Sequence, residues 1–168
     1  PCLHALHPTG HGRLSANPTT NGGILLRDVR MQDLRDQAVT VPSPGAVDGQ
    51  DTLVLGYFLR YVARLNEEQR NFRVFGPDET LSNLLGAVFE VTNRQWEARP
   101  EPNDEFLAPQ GRVLDSMLSA HQCECWLERY LRTGRPGRFN SSQAFSRHVD
   151  STVSQPPTCL TAPCDLPP

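Results

Sequence analysis

The sequence predicts an α/β chain, a partial parallel sheet flanked by helices. Three observations carry that expectation. Short apolar runs such as "FRVFG" at 72–76 stop at turn residues and hand over to segments with helical spacing. The pairing recurs at 112–132 and again from 138 to 149, the order that βαβ units give. Only three such runs are legible, and a parallel sheet covered on both faces normally has more members, so the sheet reads as part of a domain.

Taken in order, residues 1–20 carry His4, His7 and His11 with three prolines and little periodicity, and read as loop. "NGGILLRDVRMQDLRDQAV" opens with a turn signal and then mixes apolar residues with Arg and Asp, and "VPSPGAVDGQ" is a Pro/Gly linker. From Asp51 the spacing predicts an amphipathic helix with Asp51 as N-cap and Leu55, Phe58, Leu59 and Val62 on its apolar face. A strand is expected at 72–75, ended by Gly76 and Pro77. A helix is expected over 80–91, with Leu81, Leu84, Leu85 and Val88 on one face. Asp78 and Glu79 fall in the loop between. That junction is where open α/β sheets bind ligands, and also where carboxylates cap a helix and complement its dipole.

"VTNRQWEARPEPNDEFLAPQGR" reads as another Pro-rich connection. A strand is expected at 112–118 and a helix from about 120 to 132, with Cys123, Trp126, Leu127 and Tyr130 aligned and Gly134 ending it. A brief strand then precedes an amphipathic helix holding Phe145, His148 and Val149. The last fifteen residues contain five prolines and no credible element, so a disordered tail is expected.

With a net charge of −3, no basic patch advertises nucleic acid and no acidic block advertises a tail. No apolar run approaches the ~20 residues that cross a bilayer. The composition fits a soluble cytoplasmic protein without nucleic-acid or membrane partners. Pro1 stands where a start methionine would, which fits a piece of a longer protein. His121, Cys123 and Cys125 with Cys159 and Cys164 suggest a zinc module on paper. However, a Cys-x-Cys step falls short of usual zinc spacing, and on a helix its thiols diverge, so no metal site is expected.

The segments "SANPTTNGGILLRD", "NFRVFGPDETLSNLLGAVFEVTNRQWE", "HQCECWLERYLRTGRPG" and "QAFSRHVDS" closely resemble the central region of the phosphoketolases. The similarity runs over 15–155, leaving 1–14 as an irregular extension and 156–168 as the Pro-rich tail. It implies a thiamine-diphosphate-binding fold, the transketolase-like pyrimidine domain. The implied activity is phosphorolytic cleavage of xylulose 5-phosphate or fructose 6-phosphate to acetyl phosphate and an aldose phosphate. Sugar phosphate and inorganic phosphate are the implied ligands, and a homodimer the implied assembly, in which the partner's first domain holds the diphosphate and Mg²⁺.

Carried over residue by residue, the resemblance puts Ser82, Asn83 and Glu79 at the substrate side; for Glu79 a buried carboxylate or an N-cap stays open. Leu118, Ala120, Ser142 and Phe145 fall at the cofactor side, where Leu118 and Phe145 also suit core packing. The family's catalytic glutamate, in "Leu-Ser-Glu-His-Gln", is replaced by Ala120 in "LSAHQ", so no catalytic residue is assigned. A methyl group cannot exchange a proton. Glu124, one helical turn on, is the nearest substitute; otherwise it faces solvent or forms an ion pair. Ser142 replaces an aromatic residue, Leu84 an arginine, Thr19 a histidine, and Pro136 the histidine of "TGRHG". The implied downstream His/Asn-rich segment and the diphosphate and Mg²⁺ motif are not in the sequence. The resemblance thus implies a fragment inactive alone, or a degenerate copy that pairs with an intact homologue.

Overall fold

The computed structural model describes residues 28–96 and 99–142, together with residues 144, 147 and 150. Four strands form one all-parallel sheet: β1 (Arg73–Gly76), β2 (Arg94–Gln95), β3 (Val113–Asp115) and β4 (Gly137–Phe139), in the order β2-β3-β1-β4. The α/β architecture is as expected, with one strand more than the sequence revealed. β2 lies inside the segment that reads as a Pro-rich connection.

Helix α1 (Asp51–Leu65) covers one face of the sheet and helix α2 (Ala120–Leu131) packs on the other. Successive strand residues point to opposite faces. Val74 and Val113 therefore join Leu59, Val62, Ala63, Leu85 and Val88 in an aliphatic core. Phe75 instead meets Cys123 and Tyr130, with Leu114, Trp126, Leu127 and Phe139 around them. Burial on both faces explains why β1 reads as a continuous apolar run rather than an alternating one.

α1 spans the residues expected, but its N-cap is Gln50 and not Asp51. Asp51 is the first helical residue, and its Oδ1 accepts from the Thr52 N–H at 2.8 Å. At the other end Asn66 is fully buried and fully used. Its Nδ2 donates to the carbonyls of Val62 and Arg30, both at 2.8 Å, and its Oδ1 accepts from the Arg30 N–H at 3.0 Å. Arg112 completes this end by donating from Nη1 to the Ala63 carbonyl at 2.6 Å. Arg112 thus satisfies a carbonyl that the helix terminus leaves open, and Asn66 ties that terminus to Arg30.

The helix expected over 80–91 does not form. Residues 80–83 make one turn, closed by Leu84 N–H to the Leu81 carbonyl and Leu85 N–H to the Thr80 carbonyl, both at 3.0 Å. That is a helix-ending pattern in which Leu84 occupies the left-handed position, φ 60, usually given to glycine. A short 3₁₀ helix (Gly86–Glu90) follows. The break rotates Leu81 and Leu84 out to solvent and leaves Leu85 and Val88 to the core.

α1 seats closely on this break. A Cβ at Gly56 would lie 2.9 Å from the Leu84 carbonyl oxygen and 3.1 Å from the Leu85 Cα, so a glycine in mid-helix is a packing requirement here. α2 begins and ends as expected, with Cys123 and Tyr130 buried and Gly134 in the left-handed conformation, φ 76, beyond its end. The stretches read from sequence as the irregular extension 1–14 and the tail 156–168, together with Thr19, Phe145, His148 and Val149, lie outside the described residues. Among the described residues no helix is long and apolar enough to cross a membrane.

Candidate functional site

In a parallel sheet the carboxyl ends of the strands share one edge, and ligands bind there in open α/β proteins. Three strands deliver polar residues to that edge. β1 ends at Gly76 and turns through Pro77, Asp78 and Glu79; β3 ends at Asp115; β4 runs on to Asn140, Ser141 and Ser142. Asp115 stands opposite Gly76 in the register. The crowding is tight, since a Cβ on Gly76 would collide with the Asn140 side-chain amide.

Neither loop carboxylate caps a helix. Asp78, held at φ 59, forms an ion pair with Arg94 of β2, Oδ1 to Nη1 at 3.1 Å. Glu79 is buried and points the other way, its Oε2 accepting from the Ser142 N–H at 2.5 Å. Two of the residues that the sequence singles out are therefore joined directly, from loops that follow β1 and β4.

Ser82 and Asn83 lie in the same turn and fold back on Glu79. The Ser82 hydroxyl donates to the Glu79 carbonyl at 3.1 Å, and the Asn83 N–H donates to the same oxygen at 3.0 Å. Ser82 is exposed and Asn83 half-buried, so both side chains reach the surface beside the strand edge. Leu118, between β3 and α2, is 70% exposed, which excludes its reading as core in this chain. Ala120 is the first residue of α2, after a Ser119 N-cap that makes no side-chain capping bond. Phe145 lies outside the described residues.

Glu124 departs from the solvent-facing or ion-paired reading. Both its carboxylate oxygens are buried and without a hydrogen-bond partner, so it is neither ion-paired nor open to solvent. Among the described residues no group of three ligating side chains could hold a metal. Cys123 is fully buried and Cys125 exposed, as residues two apart on a helix should be. Burial pushes the Cys123 thiol up to about 12, with the carboxylates of Asp115 and Glu124 adding to the effect. Cys159 and Cys164 lie outside the described residues.

Four further residues of this edge escape a reading of the sequence: Thr80, Arg94, Asp115 and Asn140. Thr80 Oγ1 donates to Asp115 Oδ1 at 3.2 Å, and Asn140 Nδ2 donates to Thr80 Oγ1 at 3.3 Å. Burial raises the Asp115 carboxyl to about 6, against the opposing pull of Arg94 and the Thr80 hydrogen bond. A charged residue closing an apolar strand, as in "RVLD", is the one signal in the sequence that marks Asp115.

A cleft of about 340 Å³ opens beyond Asp78 and Arg94, lined also by Trp96, Glu101, Asp104 and Glu105. Arg99 also lines it, so four carboxylates face two guanidinium groups, a balance that favours a cation over an anion.

A family model for D-xylulose 5-phosphate/D-fructose 6-phosphate phosphoketolase matches residues 53–162. A probable phosphoketolase of Clostridium acetobutylicum is 55% identical over 168 residues, covering 99% of this chain and 21% of the relative. One from Rhodopirellula baltica is 55% identical over 162 residues, 96% of this chain and 20% of the relative. One from Brucella abortus is 50% identical over 155 residues, 92% and 20% respectively. The chain therefore spans about a fifth of the length of the curated relatives it matches. With identity this high along most of its residues, and a family model that matches 53–162, the chain belongs to the D-xylulose 5-phosphate/D-fructose 6-phosphate phosphoketolase family.

Proposed function

We propose that this chain is the central, pyrimidine-binding segment of a phosphoketolase and that it does not carry out the proton transfer itself. The whole-protein reaction is the phosphorolytic cleavage of xylulose 5-phosphate or fructose 6-phosphate to acetyl phosphate and an aldose phosphate. Thiamine diphosphate with Mg²⁺ is the cofactor of that reaction, and a homodimer its assembly. In this reading Glu79, Ser82 and Asn83 form the substrate side of the strand edge, while Leu118, Ala120, Ser142 and Phe145 form the cofactor side. Ser82 and Asn83 offer a hydroxyl and an amide beside the free edge, the neutral donors and acceptors that suit a sugar hydroxyl or a phosphate oxygen.

The observation that carries the non-catalytic half is Ala120. A cofactor of this class needs a carboxylate against its pyrimidine ring, and a methyl at the start of α2 neither accepts nor donates a proton. The residues present therefore do not fit the catalytic use of the group. The same observation favours a second reading, a degenerate copy that pairs with an intact homologue.

Calorimetry and an acetyl phosphate assay test the proposal together. The expected result is neither tight binding of thiamine diphosphate with Mg²⁺ nor product from xylulose 5-phosphate when the purified chain acts alone. Acetyl phosphate formed by the chain, free of other phosphoketolase, would overturn it. Stable association with an intact family member, in light scattering, would select the second reading.

A further inference from the structure

Where the carboxyl edge of the sheet gathers carboxylates, the amino edge gathers arginines. Arg73 opens β1, Arg112 stands directly before β3, and Arg135 comes two residues before β4. Arg70 joins them from the turn between α1 and β1, in a left-handed conformation, φ 51, that side chains disfavour. None of these four guanidinium groups forms an ion pair among the described residues.

Their fixed partners are neutral. Arg112, only 5% exposed, donates to the Ala63 carbonyl, and Arg70 donates to the carbonyl of Gln110. Arg73 donates to the Gln95 side-chain oxygen at 3.2 Å, and Arg135 to the Thr133 hydroxyl at 2.8 Å. Arg73 Nε and the Tyr130 hydroxyl are buried with no hydrogen-bond partner. Burial holds Arg73 and Arg112 below the usual guanidinium range; Tyr130 opposes the shift at the first and Glu67 at the second, while Arg70 adds to both. Guanidinium groups keep their charge even so, and a buried charge without a counterion is costly.

A cleft of about 180 Å³ opens at this edge, beside the segments that lead into β2 and β3. Arg70 and Arg112 line it together with Thr92, Asn93 and Gly111, and Glu67 is its one carboxylate.

We infer that this cleft is an anion site, separate from the carboxyl edge, which takes a phosphate group between Arg70 and Arg112. The planar guanidinium fork matches phosphate oxygens in pairs, and the anion supplies the counterion that buried Arg112 lacks. The volume equals that of roughly six liquid water molecules, which suits one phosphate group and not a peptide segment. Arg73 and Arg135, on the strands beyond, add their field. Free phosphate and the phosphoryl end of an ester share this chemistry. The inference does not rest on the proposed reaction, whose Ser82 and Asn83 stand at the opposite edge of the sheet.

Nuclear magnetic resonance tests it, with the chain titrated by inorganic phosphate and, in a second arm, by glycerol 3-phosphate, at an ionic strength held constant with chloride. The amides of Arg70, Asn93, Gly111 and Arg112 are expected to shift together and to saturate. Tighter binding in one arm assigns the source of the phosphoryl group. Arg70→Gln is expected to weaken binding roughly tenfold, and Glu67→Gln to tighten it roughly threefold. Both side chains are exposed, so the fold tolerates both changes. Shifts that chloride alone reproduces, or an affinity that neither substitution moves, would overturn the inference. Saturation confined to the Ser82 and Asn83 amides would overturn it too, while leaving the proposed function standing.

Discussion

Val74 and Val113 look from one face of the sheet toward Leu59, Val62 and Val88, whereas Phe75 and Leu114, the next residues on the same strands, look toward Cys123, Trp126 and Tyr130. The first face is apolar and mainly aliphatic, with Phe72 and Phe89 among its members, and Asn66 at its margin has its hydrogen bonds filled. On the second, Arg73 and Arg135 lie over the Tyr130 ring at 5.8 and 4.4 Å, and Glu124 keeps two buried oxygens without partners. Buried groups left unsatisfied cost stability, and native proteins tolerate few of them. The α1 face holds the larger buried apolar cluster, and the α2 face carries the less settled chemistry. Ala120, which we propose stands at the position of the family's catalytic glutamate, opens the helix on that second face.

Equal deletions on the two faces probe the contrast most directly. Leu59→Ala is expected to cost about 2–5 kcal/mol in denaturant unfolding, since Leu59 sits deep in the aliphatic core. Leu127→Ala, on the half-buried α2 face, is expected to cost about half as much. Equal costs would erase the distinction.

Next in size is a pH effect at the boundary between the faces. Asp115 has its folded-state pKa raised to about 6 by burial. A raised carboxylate adds stability below its unfolded pKa, and that stability is lost as pH climbs through the folded value. The stability of Asp115→Asn relative to the parent should therefore grow between about pH 4 and pH 7, by about 3 kcal/mol in all. Melting curves of both proteins across that range measure it. Acid should thus raise the melting temperature of the parent relative to the asparagine variant.

Gly56→Ala tests how closely α1 seats. Alanine favours helix, yet its Cβ would meet the Leu84 carbonyl at 2.9 Å, and a net loss of about 1–2 kcal/mol is expected in thermal melts. The smallest change is Leu84→Gly. It relieves the positive φ while giving up a 44%-exposed side chain, for a net gain of under about 1 kcal/mol. A loss there would mean that the Leu84 side chain contributes more than its exposure suggests.

The sequence exposed what periodicity and punctuation encode. α1, β1, α2 and its glycine stop are legible because apolar spacing and turn residues act locally. β2 is hidden because Arg94 and Gln95 have no strand pattern of their own; pairing with Val113 and Leu114 makes them a strand. The helix expected over 80–91 fails because its leucines fit a helical face equally well whether or not Leu84 adopts a left-handed backbone. At the site, Glu79 and Ser142 could be picked out by resemblance, but their direct bond depends on two loops that meet only in the folded sheet. Asp115 and Arg94 belong to the same class, ordinary as letters and informative only as a pair.

The strand order β2-β3-β1-β4 carries a kinetic consequence. No two neighbouring strands are joined by a hairpin, so Val74 must find Val113, and Arg73 must find Gly137, across long stretches of chain. Loop closure has to precede the contacts that reward it, which slows assembly and prolongs the exposure of strand edges to other molecules. A nascent chain of this topology cannot complete β1 until β4 has left the ribosome, and the edge of Phe75 waits unpaired until then.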